Sequence, residues 1–509
     1  MSTSLLEGLD GGLIVSCQPV DDGPLDTIPS IVAFALAARD GGARALRIEG
    51  AENVAAVAKA CDLPIVGIVK RDLDGFPVRI TPFLEDVEAL ADAGAHIIAV
   101  DATDRPHPVP VETLLAAIKA RGRIAMADLS TIAEARAAKA MGFDILGTTM
   151  SGYTGGPIPE GPDLDFVTAC RELGATVVAE GRYNSPPAAA AAMRAGANAV
   201  CVGSAITRTE HVTGWFRDAV DNARASMNET VLALDIGGTK ALAALVRGST
   251  ILESRVVATP KDVASPAWFD VIAGLVDGWE GRFTRAGAAV TGVMRAGHWS
   301  ALNPRTLPIP ENTPLEQSLS ERLGCPVIAR NDAQAAAWGE YRFGAGKGRD
   351  TAFVTVSSGI GGGLVLGGRL IEGARGLAGS LGQVQGPSGG ERLENQASGF
   401  AMSAAAEKSG LPADTRALFA AIEGGDEAAL QVVRDAANRV AYSLVDLQRL
   451  VDPEIVILGG GIGMLPTFRA ALDAALDGVA PHLRPQLAPA QLGADAGIIG
   501  IADLVSQAA

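Results

Sequence analysis

Eight apolar, β-branched runs recur through residues 11–206. They are Gly12–Gln18, Ala45–Gly50, Pro64–Lys70, His96–Ala102, Arg123–Leu129, Ile145–Thr149, Thr176–Gly181 and Ala199–Ile206. Their hydrophobicity is nearly continuous rather than alternating, which predicts parallel strands buried on both faces. Between them lie Ala-rich stretches with apolar positions at helical spacing, such as Asp86–Ala93 and Ile132–Met141. Strand alternating with helix eight times in about 225 residues predicts an α/β architecture, the closed (β/α)8 TIM barrel. An open doubly wound sheet is the rival, and eight regular units favour closure. Thr213–Ala225 has helix character and would close the set. After Ser226–Thr230 a new pattern begins, in which apolar strands run into glycines: Val231–Lys240 then Ala241–Val246, Val354–Leu366, and Ile455–Ile462. The join has no Pro-rich or Gly/Ser-rich spacer. Two packed domains are expected, 1–226 and 230–509.

Composition narrows the class. The 509 residues carry a net charge of −16. Both halves are acidic, with 19 basic against 29 acidic residues in 1–226 and 23 against 29 beyond. A nucleic-acid partner would need a basic footprint, and none is visible. No apolar run approaches the ~18 residues of a membrane span. The first basic residue is Arg39, so the start lacks a charged signal-peptide region. The five cysteines (17, 61, 170, 201, 325) form neither a disulfide framework nor a CxxC pair. A reduced, cytoplasmic protein without nucleic-acid or membrane partners is expected.

A barrel carries its chemistry at the C-terminal ends of its strands. The polar residues there are Gln18, Arg47, Lys70, Asp101, Asp128, Thr149, Glu180 and the Gly203-Ser204 pair. One or two could be structural ion pairs. So many pointing to one mouth suggest a polar ligand. Lys59, Lys119 and Lys139 fall in helical stretches, and Lys70 alone follows directly on an apolar strand. Desolvation or positive neighbours fit such a lysine for work as base, acid or Schiff-base nucleophile. Glu180 closes the seventh strand and is its natural proton partner. Gly203 and Ser204 lead into a helix start, where backbone N–H groups bind phosphate. Arg182 and Arg208 can add charge-assisted bonds.

This half resembles the N-acetylmannosamine-6-phosphate 2-epimerase family over 1–225. The matching stretches are GGLIVSCQPV (11–20), RIEG (47–50), GIVKRD (67–72), TDRPHPVPVETLL (103–115), GTTMSGYT (147–154), AEGRYNSP (179–186) and VGSAITR (202–208). The resemblance implies interconversion of N-acetylmannosamine 6-phosphate and N-acetylglucosamine 6-phosphate without metal or redox cofactor. It implies Lys70 and Glu180 as proton carriers, with Gln18, Arg47, Asp128, Arg182 and Arg208 around the sugar phosphate. It argues against the Schiff-base alternative.

In the second half, a strand, a Gly237-Gly238-Thr239 turn and another strand look like the phosphate hairpin of actin-like ATPases. Glycine lets the backbone approach phosphates, Thr239 and Lys240 offer donors, and Asp235 sits where an acid usually orders magnesium through water. A plain hairpin turn is the alternative. The glycines at 359 and 361–363 make a poor strand unless a ligand comes close. There is no GxxxxGK[ST], so this is not a P-loop enzyme, and Gly344–Gly348 reads as a loop. Asp332 follows a short strand, PVIA, and precedes a helix-like stretch. It is either a helix N-cap, a base accepting a sugar hydroxyl proton, or both.

This half resembles the ROK family of sugar kinases over about 230–509, with a two-lobed actin-like (ribonuclease H-like) fold implied; with the epimerase half fused to it, N-acetylmannosamine kinases are the nearest members. The resemblance implies ATP contacts at Leu234, Asp235, Ile236, Gly237, Gly238, Thr239, Lys240 and Ala241, and at Val356, Ser357, Ser358, Gly359, Ile360, Gly361, Gly362 and Gly363. It implies ATP and Mg2+ as cofactors, Asp332 as base, and Asn331, Asn303 and Glu394 touching the sugar. Dimers are common in both families, so a homo-oligomer is expected. The chain departs from the family's AGE-x-GH and zinc-cysteine motifs. It reads Ala378-Gly379-Ser380-Leu381-Gly382-Gln383, and the loop 386–399 has no cysteine. Four zinc ligands cannot be drawn from that stretch, so no zinc is expected. ROK relatives also include repressors, but those carry a basic helix-turn-helix segment where this chain has an acidic barrel. The expected function is phosphorylation of N-acetylmannosamine at O6, then C2 epimerisation to N-acetylglucosamine 6-phosphate, in sialic acid or amino sugar catabolism. The alternative is an epimerase fused to a ROK domain that is silent or phosphorylates another hexose.

Overall fold

The computed structural model describes residues 2–260, 267–301, 310–386 and 390–507. The chain divides into two compact units, one ending at Val220 and one beginning at Asp221.

In the first unit eight parallel strands close into a barrel in sequence order. They are β1 (Gly12–Ser16), β2 (Ala45–Glu49), β3 (Ile65–Ile68), β4 (Ile97–Asp101), β5 (Ile124–Asp128), β6 (Ile145–Gly147), β7 (Thr176–Glu180) and β8 (Ala199–Val202). Closure is made by β1 pairing β8, Gly12 to Ala199 through Val15 to Val202. The near-continuous hydrophobicity has the expected cause. Ile14, Ile68, Ile97, Met126, Ile145 and Val178 fill the interior, while Val15, Leu46, Ile48, Ile98, Leu146 and Val177 face the surrounding helices. Leu5, Leu6 and Leu9 of the helix Ser2–Leu9 pack against the interior cluster. The strands are shorter than the apolar runs. Gln18, Lys70, Thr149, Gly203 and Ser204 therefore lie just beyond strand ends, outside the ladder. The helices expected at Asp86–Ala93 and Ile132–Met141 span Leu84–Ala93 and Ile132–Met141. The second starts from a Thr131–Glu134 capping box. The helix expected at 213–225 runs from Thr209 to Asn228. Most of the expected join is thus helical, and only Glu229 and Thr230 precede the next strand.

The second unit contains two five-stranded sheets and a small hairpin. One sheet has the order β11-β10-β9-β12-β15. Its strands are β9 (Val231–Ile236), β10 (Lys240–Arg247), β11 (Thr250–Ala258), β12 (Ala286–Val290) and β15 (Val327–Asn331), and the hairpin is β13 (Val293–Arg295) with β14 (His298–Ser300). The other has the order β18-β17-β16-β19-β20. It is built from β16 (Thr351–Val356), β17 (Ile360–Leu366), β18 (Arg369–Ile371), β19 (Ile455–Gly459) and β20 (Leu487–Pro489). Each sheet has three antiparallel strands, the innermost of which pairs with a parallel strand on its other side. This is the duplicated, two-lobed actin-like plan. The helices Asp332–Phe343 and Ala496–Gln507 cross at backbone distance. A Cβ on Gly500 would lie 1.9 Å from Ala335 O, and one on Gly339 would lie 2.4 Å from Ala496 O.

The glycines of β17 have a different cause from the expected close ligand. A Cβ on Gly363 would meet Gln334 Cα and Ala337 Cβ at 2.8 Å, and one on Gly362 would meet Gly379 O at 2.3 Å. Protein backbone, not a phosphate, takes that space. The segment Gly344–Gly348 is a turn region, as expected.

Candidate functional site

The C-terminal mouth of the barrel holds a cavity of about 430 Å³ lined by Gln18, Arg47, Lys70, Glu180, Arg182, Gly203, Ser204 and Arg208 among others. The sequence-expected residues of the first unit therefore line one cavity, except Asp128, which is not among its lining residues. Asp128 is wholly buried and Arg47 is 1 % exposed. Arg47 Nη2 donates to Asp128 Oδ2 at 2.6 Å, and Nη1 reaches Glu180 Oε2 at 3.1 Å. Thr149 Oγ1 stands 2.6 Å from Asp128 Oδ1 and 3.3 Å from Glu180 Oε2. The Thr148 hydroxyl donates to Glu180 O and accepts its backbone N–H, fixing the end of β7.

The two expected proton carriers are displaced in opposite directions. Burial pushes the Glu180 carboxyl up, with Asp128 adding to the rise and Arg47 opposing it. Burial pulls the Lys70 amine down, and Arg208 and Arg47 add to the fall against Asp21 and Glu49. A raised acid and a lowered amine in one cavity bring both toward the range in which a proton can be given and taken back. The Lys70 backbone is held by its N–H to Glu49 Oε1 at 3.2 Å.

The flanking cations are oriented by backbone oxygens. Arg208 Nε donates to Gln18 O at 3.0 Å. Arg182 stands at a φ of 62°. Its Nη1 donates to Ser151 O at 2.5 Å and its Nε to Gly161 O at 2.7 Å. Its guanidinium lies 5.3 Å from the centre of the Tyr153 ring. Asp101 reaches the mouth too but is occupied. It accepts from Thr103 and from Arg105 Nη2, the latter at 2.5 Å. The Gln18 amide donates to Ser16 Oγ at 2.8 Å. Gly203 packs on Ser16, where a Cβ would lie 3.2 Å from its Cβ. Ser204 opens a helix of only four residues, Ser204–Thr207. Arg79, Arg105, Tyr153 and Cys201 also line the cavity, and sequence reasoning missed them.

In the second unit, Asp235 near the end of β9 and Asp332 just past β15 flank the end of β12. Burial and the neighbouring Asp332 push the Asp235 carboxyl up to about 6, against Lys240. Burial raises Asp332 as well, while bonds from Thr291, the Ala333 N–H and Asn331 oppose it. Thr291 Oγ1 donates to Asp332 Oδ2 at 2.9 Å. Thr291 was missed, though it follows an apolar strand as the barrel's polar residues do. The helix N-cap is Asn331, not Asp332. Asn331 Oδ1 accepts from Ala333 N and Gln334 N, and its Nδ2 donates to Gly292 O. Asp332 is the first helical residue, and its carboxylate is held by the Ala333 N–H on Oδ1 at 2.8 Å and by the Thr291 hydroxyl on Oδ2.

Leu234, Asp235 and Ile236 form the end of β9, and Lys240 and Ala241 open β10. Between them the Gly237-Gly238-Thr239 turn is closed by Gly237 N–H to Lys240 O and anchored by Thr259 Oγ1 on Gly237 O. The turn Ser357–Gly359 joins Val356 of β16 to Ile360 of β17. Gly361, Gly362 and Gly363 are the β17 residues that pack on protein. Glu394 lies against this turn and accepts the Ile360 N–H at 3.1 Å. Asn303 lies outside the described residues. Gln383 accepts from Arg392 at 2.7 Å, and a Gln385–Arg392 bridge closes the following loop. Neither His nor Cys occurs anywhere in 378–399. Among the described residues no group of three or more His, Cys, Asp or Glu could hold a metal ion.

Comparison with known proteins bears on both halves. Residues 31–222 match the family described as "Putative N-acetylmannosamine-6-phosphate epimerase", and residues 231–508 match the ROK family. A Brucella melitensis protein described as "Bifunctional enzyme NanE/NanK" is 58% identical over 509 residues, covering 99% of this chain and 98% of that one. The N-acetylmannosamine-6-phosphate 2-epimerase from Clostridium perfringens is 37% identical, with a TM-score of 0.41, over 42% of this chain and 96% of its own. A ROK hexokinase from Thermus thermophilus is 33% identical, with a TM-score of 0.48, over 55% of this chain and 98% of its own.

Proposed function

We infer the two reactions from this premise: the chain belongs to the family of bifunctional NanE/NanK enzymes, an epimerase half followed by a ROK-family kinase half. It acts on amino sugars and their phosphates. The kinase half transfers phosphate from ATP to O6 of N-acetylmannosamine, and the barrel inverts C2 of the product to give N-acetylglucosamine 6-phosphate.

The observation that carries the epimerase reading is the convergence of Lys70 and Glu180 on one cavity, beside Arg182 and Arg208. The C2 proton lies α to the open-chain C1 carbonyl. One carrier takes it, and the C–H electron pair moves into the carbonyl as an enolate. A proton then returns to C2 from the other face. Lys70 and Glu180 fit the two carrier roles, Arg47 fits stabilisation of the developing negative charge, and Arg182 with Arg208 fits the phosphate. Enolate stabilisation by fixed cations in a secluded site is the larger part of such catalysis. These steps call for no cofactor.

In the kinase half Asp332 accepts the O6 proton. O6 forms its bond to the γ-phosphorus as the bond to the bridging β–γ oxygen breaks, and ADP departs. Asp235 fits a divalent cation. It is a half-buried carboxylate whose pKa is raised by desolvation and by the neighbouring Asp332, and hard cations take such oxygen donors. Asp235 would hold Mg2+, which when bound neutralises phosphate charge. Thr239, Lys240 and the Ser357–Gly359 turn would cradle the phosphates. The stretch 378–399 does not fit zinc, because it offers neither thiolate nor imidazole. We place the chain in the cytoplasm as a homodimer; a reducing compartment suits its five free cysteines, four of them buried.

The test is to incubate the full chain with N-acetylmannosamine and Mg-ATP and follow the sugar by NMR. Appearance of N-acetylglucosamine 6-phosphate supports both activities. No product from N-acetylmannosamine, but conversion of added N-acetylmannosamine 6-phosphate, overturns the kinase assignment and leaves the epimerase.

A further inference from the structure

The hydroxyl of Thr149 lies between two carboxylates with different tasks. It is 2.6 Å from Asp128 and 3.3 Å from Glu180. A hydroxyl has one hydrogen to give and lone pairs to accept with. The shorter contact assigns that hydrogen to Asp128 Oδ1. A lone pair of Oγ1 is then left facing Glu180 Oε2. Two oxygen lone pairs at that distance repel unless a proton lies between them. The geometry therefore matches a protonated Glu180 that donates to Thr149.

We propose that Thr149 is a positioning residue for Glu180: it holds the protonated carboxyl through a relay, Glu180 O–H to Thr149 Oγ1 and Thr149 O–H to Asp128 Oδ1, and turns its hydrogen to Glu180 once that proton has left for the substrate. Only the hydroxyl rotates, and no heavy atom moves. The proposal rests on the reading of Glu180 as a proton carrier.

The surroundings make one hydrogen bond matter. Glu180 is faced by Arg47 from β2, Asp128 from β5 and the Cys201 thiol from β8, with Lys70 in the same cavity. The Asp101–Arg105 pair of the β4 end is closed on itself. One guanidinium thus serves two carboxylates, since Arg47 bridges Asp128 and Glu180. Arg47 itself favours Asp128, to which it donates from both Nη1 and Nη2, the latter at 2.6 Å, over Glu180 at 3.1 Å. Thr149 adds to that bias, because its shorter contact directs its hydrogen to Asp128. Burial raises the Glu180 carboxyl in the same sense, whereas a Thr149 hydroxyl donating to the ionised carboxylate would lower it, so the direction in which the Glu180 limb moves on removing Thr149 decides between the two arrangements.

The experiment measures kcat and KM for N-acetylmannosamine 6-phosphate against pH in the full chain. The variants are Thr149→Val, Thr149→Ser, Glu180→Gln and Lys70→Ala. The Thr149→Val variant should lose about tenfold or more in kcat, a fraction of a full acid–base contribution. Its KM should stay near that of the parent, and the pH limb belonging to Glu180 should move to lower pH. The Thr149→Ser variant should restore both kcat and the limb. If Thr149→Val leaves the limb in place or moves it upward, or if serine does not rescue, the proposal is overturned. Inactive Glu180→Gln and Lys70→Ala variants would still uphold the acid–base reading. Active ones would overturn that reading itself.

Discussion

The Arg47 guanidinium and the Asp128 carboxylate form a pair sealed from water, 2.6 Å apart at Nη2 and Oδ2, with side chains 2 % and 0 % exposed. Such a pair adds little net stability over apolar residues of the same size. Removing one partner is another matter, because an uncompensated buried charge remains, at a cost of about 3–5 kcal/mol. Asp128→Ala should therefore lower the barrel's stability by that order as well as stopping epimerisation, whereas Arg47→Met, which leaves two adjacent carboxylates, should raise the Glu180 pKa further. Urea unfolding followed on the barrel's transition checks the first. Retention of the parent midpoint in Asp128→Ala would contradict the buried-pair account.

The two activities should separate by single substitution. Lys70→Ala should reduce epimerisation by about 10²–10⁴-fold, the usual worth of a positioned acid or base, while ATP consumption with N-acetylmannosamine continues. Asp332→Ala should do the reverse. Coupled ADP assays and sugar NMR on the same preparations distinguish them. Normal epimerisation in the Lys70 variant would sink the assignment of the barrel mouth.

Much of this is legible in the sequence. The barrel is readable because strands buried on both faces leave long apolar runs, and Arg47, Asp128 and Glu180 stand out as charges at the ends of such runs. Contacts between those charges are not legible. Arg47 touches Asp128 and Glu180 only because closure brings β2, β5 and β7 around one mouth. Cys201 is hidden by being apolar in character within β8. Arg79 and Arg105 are hidden in loops whose course no periodicity fixes. In the second unit the glycine pattern is visible, but its cause in β17 differs from the expected one. Sequence shows that Gly362 has no side chain, and only the fold shows that Gly379 O occupies the space.

Close backbone approach also makes a prediction. Gly500 sits where a Cβ would lie 1.9 Å from the backbone oxygen of Ala335, and backbone cannot swing aside as a flexible side chain can. Gly500→Ala should force the helices Asp332–Phe343 and Ala496–Gln507 apart. Overpacking of this kind typically costs about 1–3 kcal/mol. The first of these helices begins at Asp332, so kinase kcat should fall together with the unfolding temperature. A variant with parent stability and parent kcat would show that the helices can slide without consequence.

The Asp235 carboxyl joins stability to function through pH. Its native pKa is about 6, above its ordinary value of 3.8. A carboxyl whose pKa rises on folding binds its proton more tightly in the native state. It therefore favours folding at low pH, and that contribution is lost as pH rises through the interval from 3.8 to about 6. At neutral pH the ionised group opposes folding by about 1–3 kcal/mol, because each tenfold change in proton affinity is worth ~1.4 kcal/mol. Asp235→Asn should accordingly stabilise the nucleotide-free protein at neutral pH and flatten its stability profile across that window. The same substitution should abolish phosphorylation, because the cation would lose its anionic ligand. In the parent, kcat/KM of the kinase should rise as pH climbs through about 6, where Asp235 ionises. Thermal melts of both proteins across this range give the answer. A destabilised Asp235→Asn variant would mean that the carboxylate is held by attractive contacts and is not a strained site awaiting a cation.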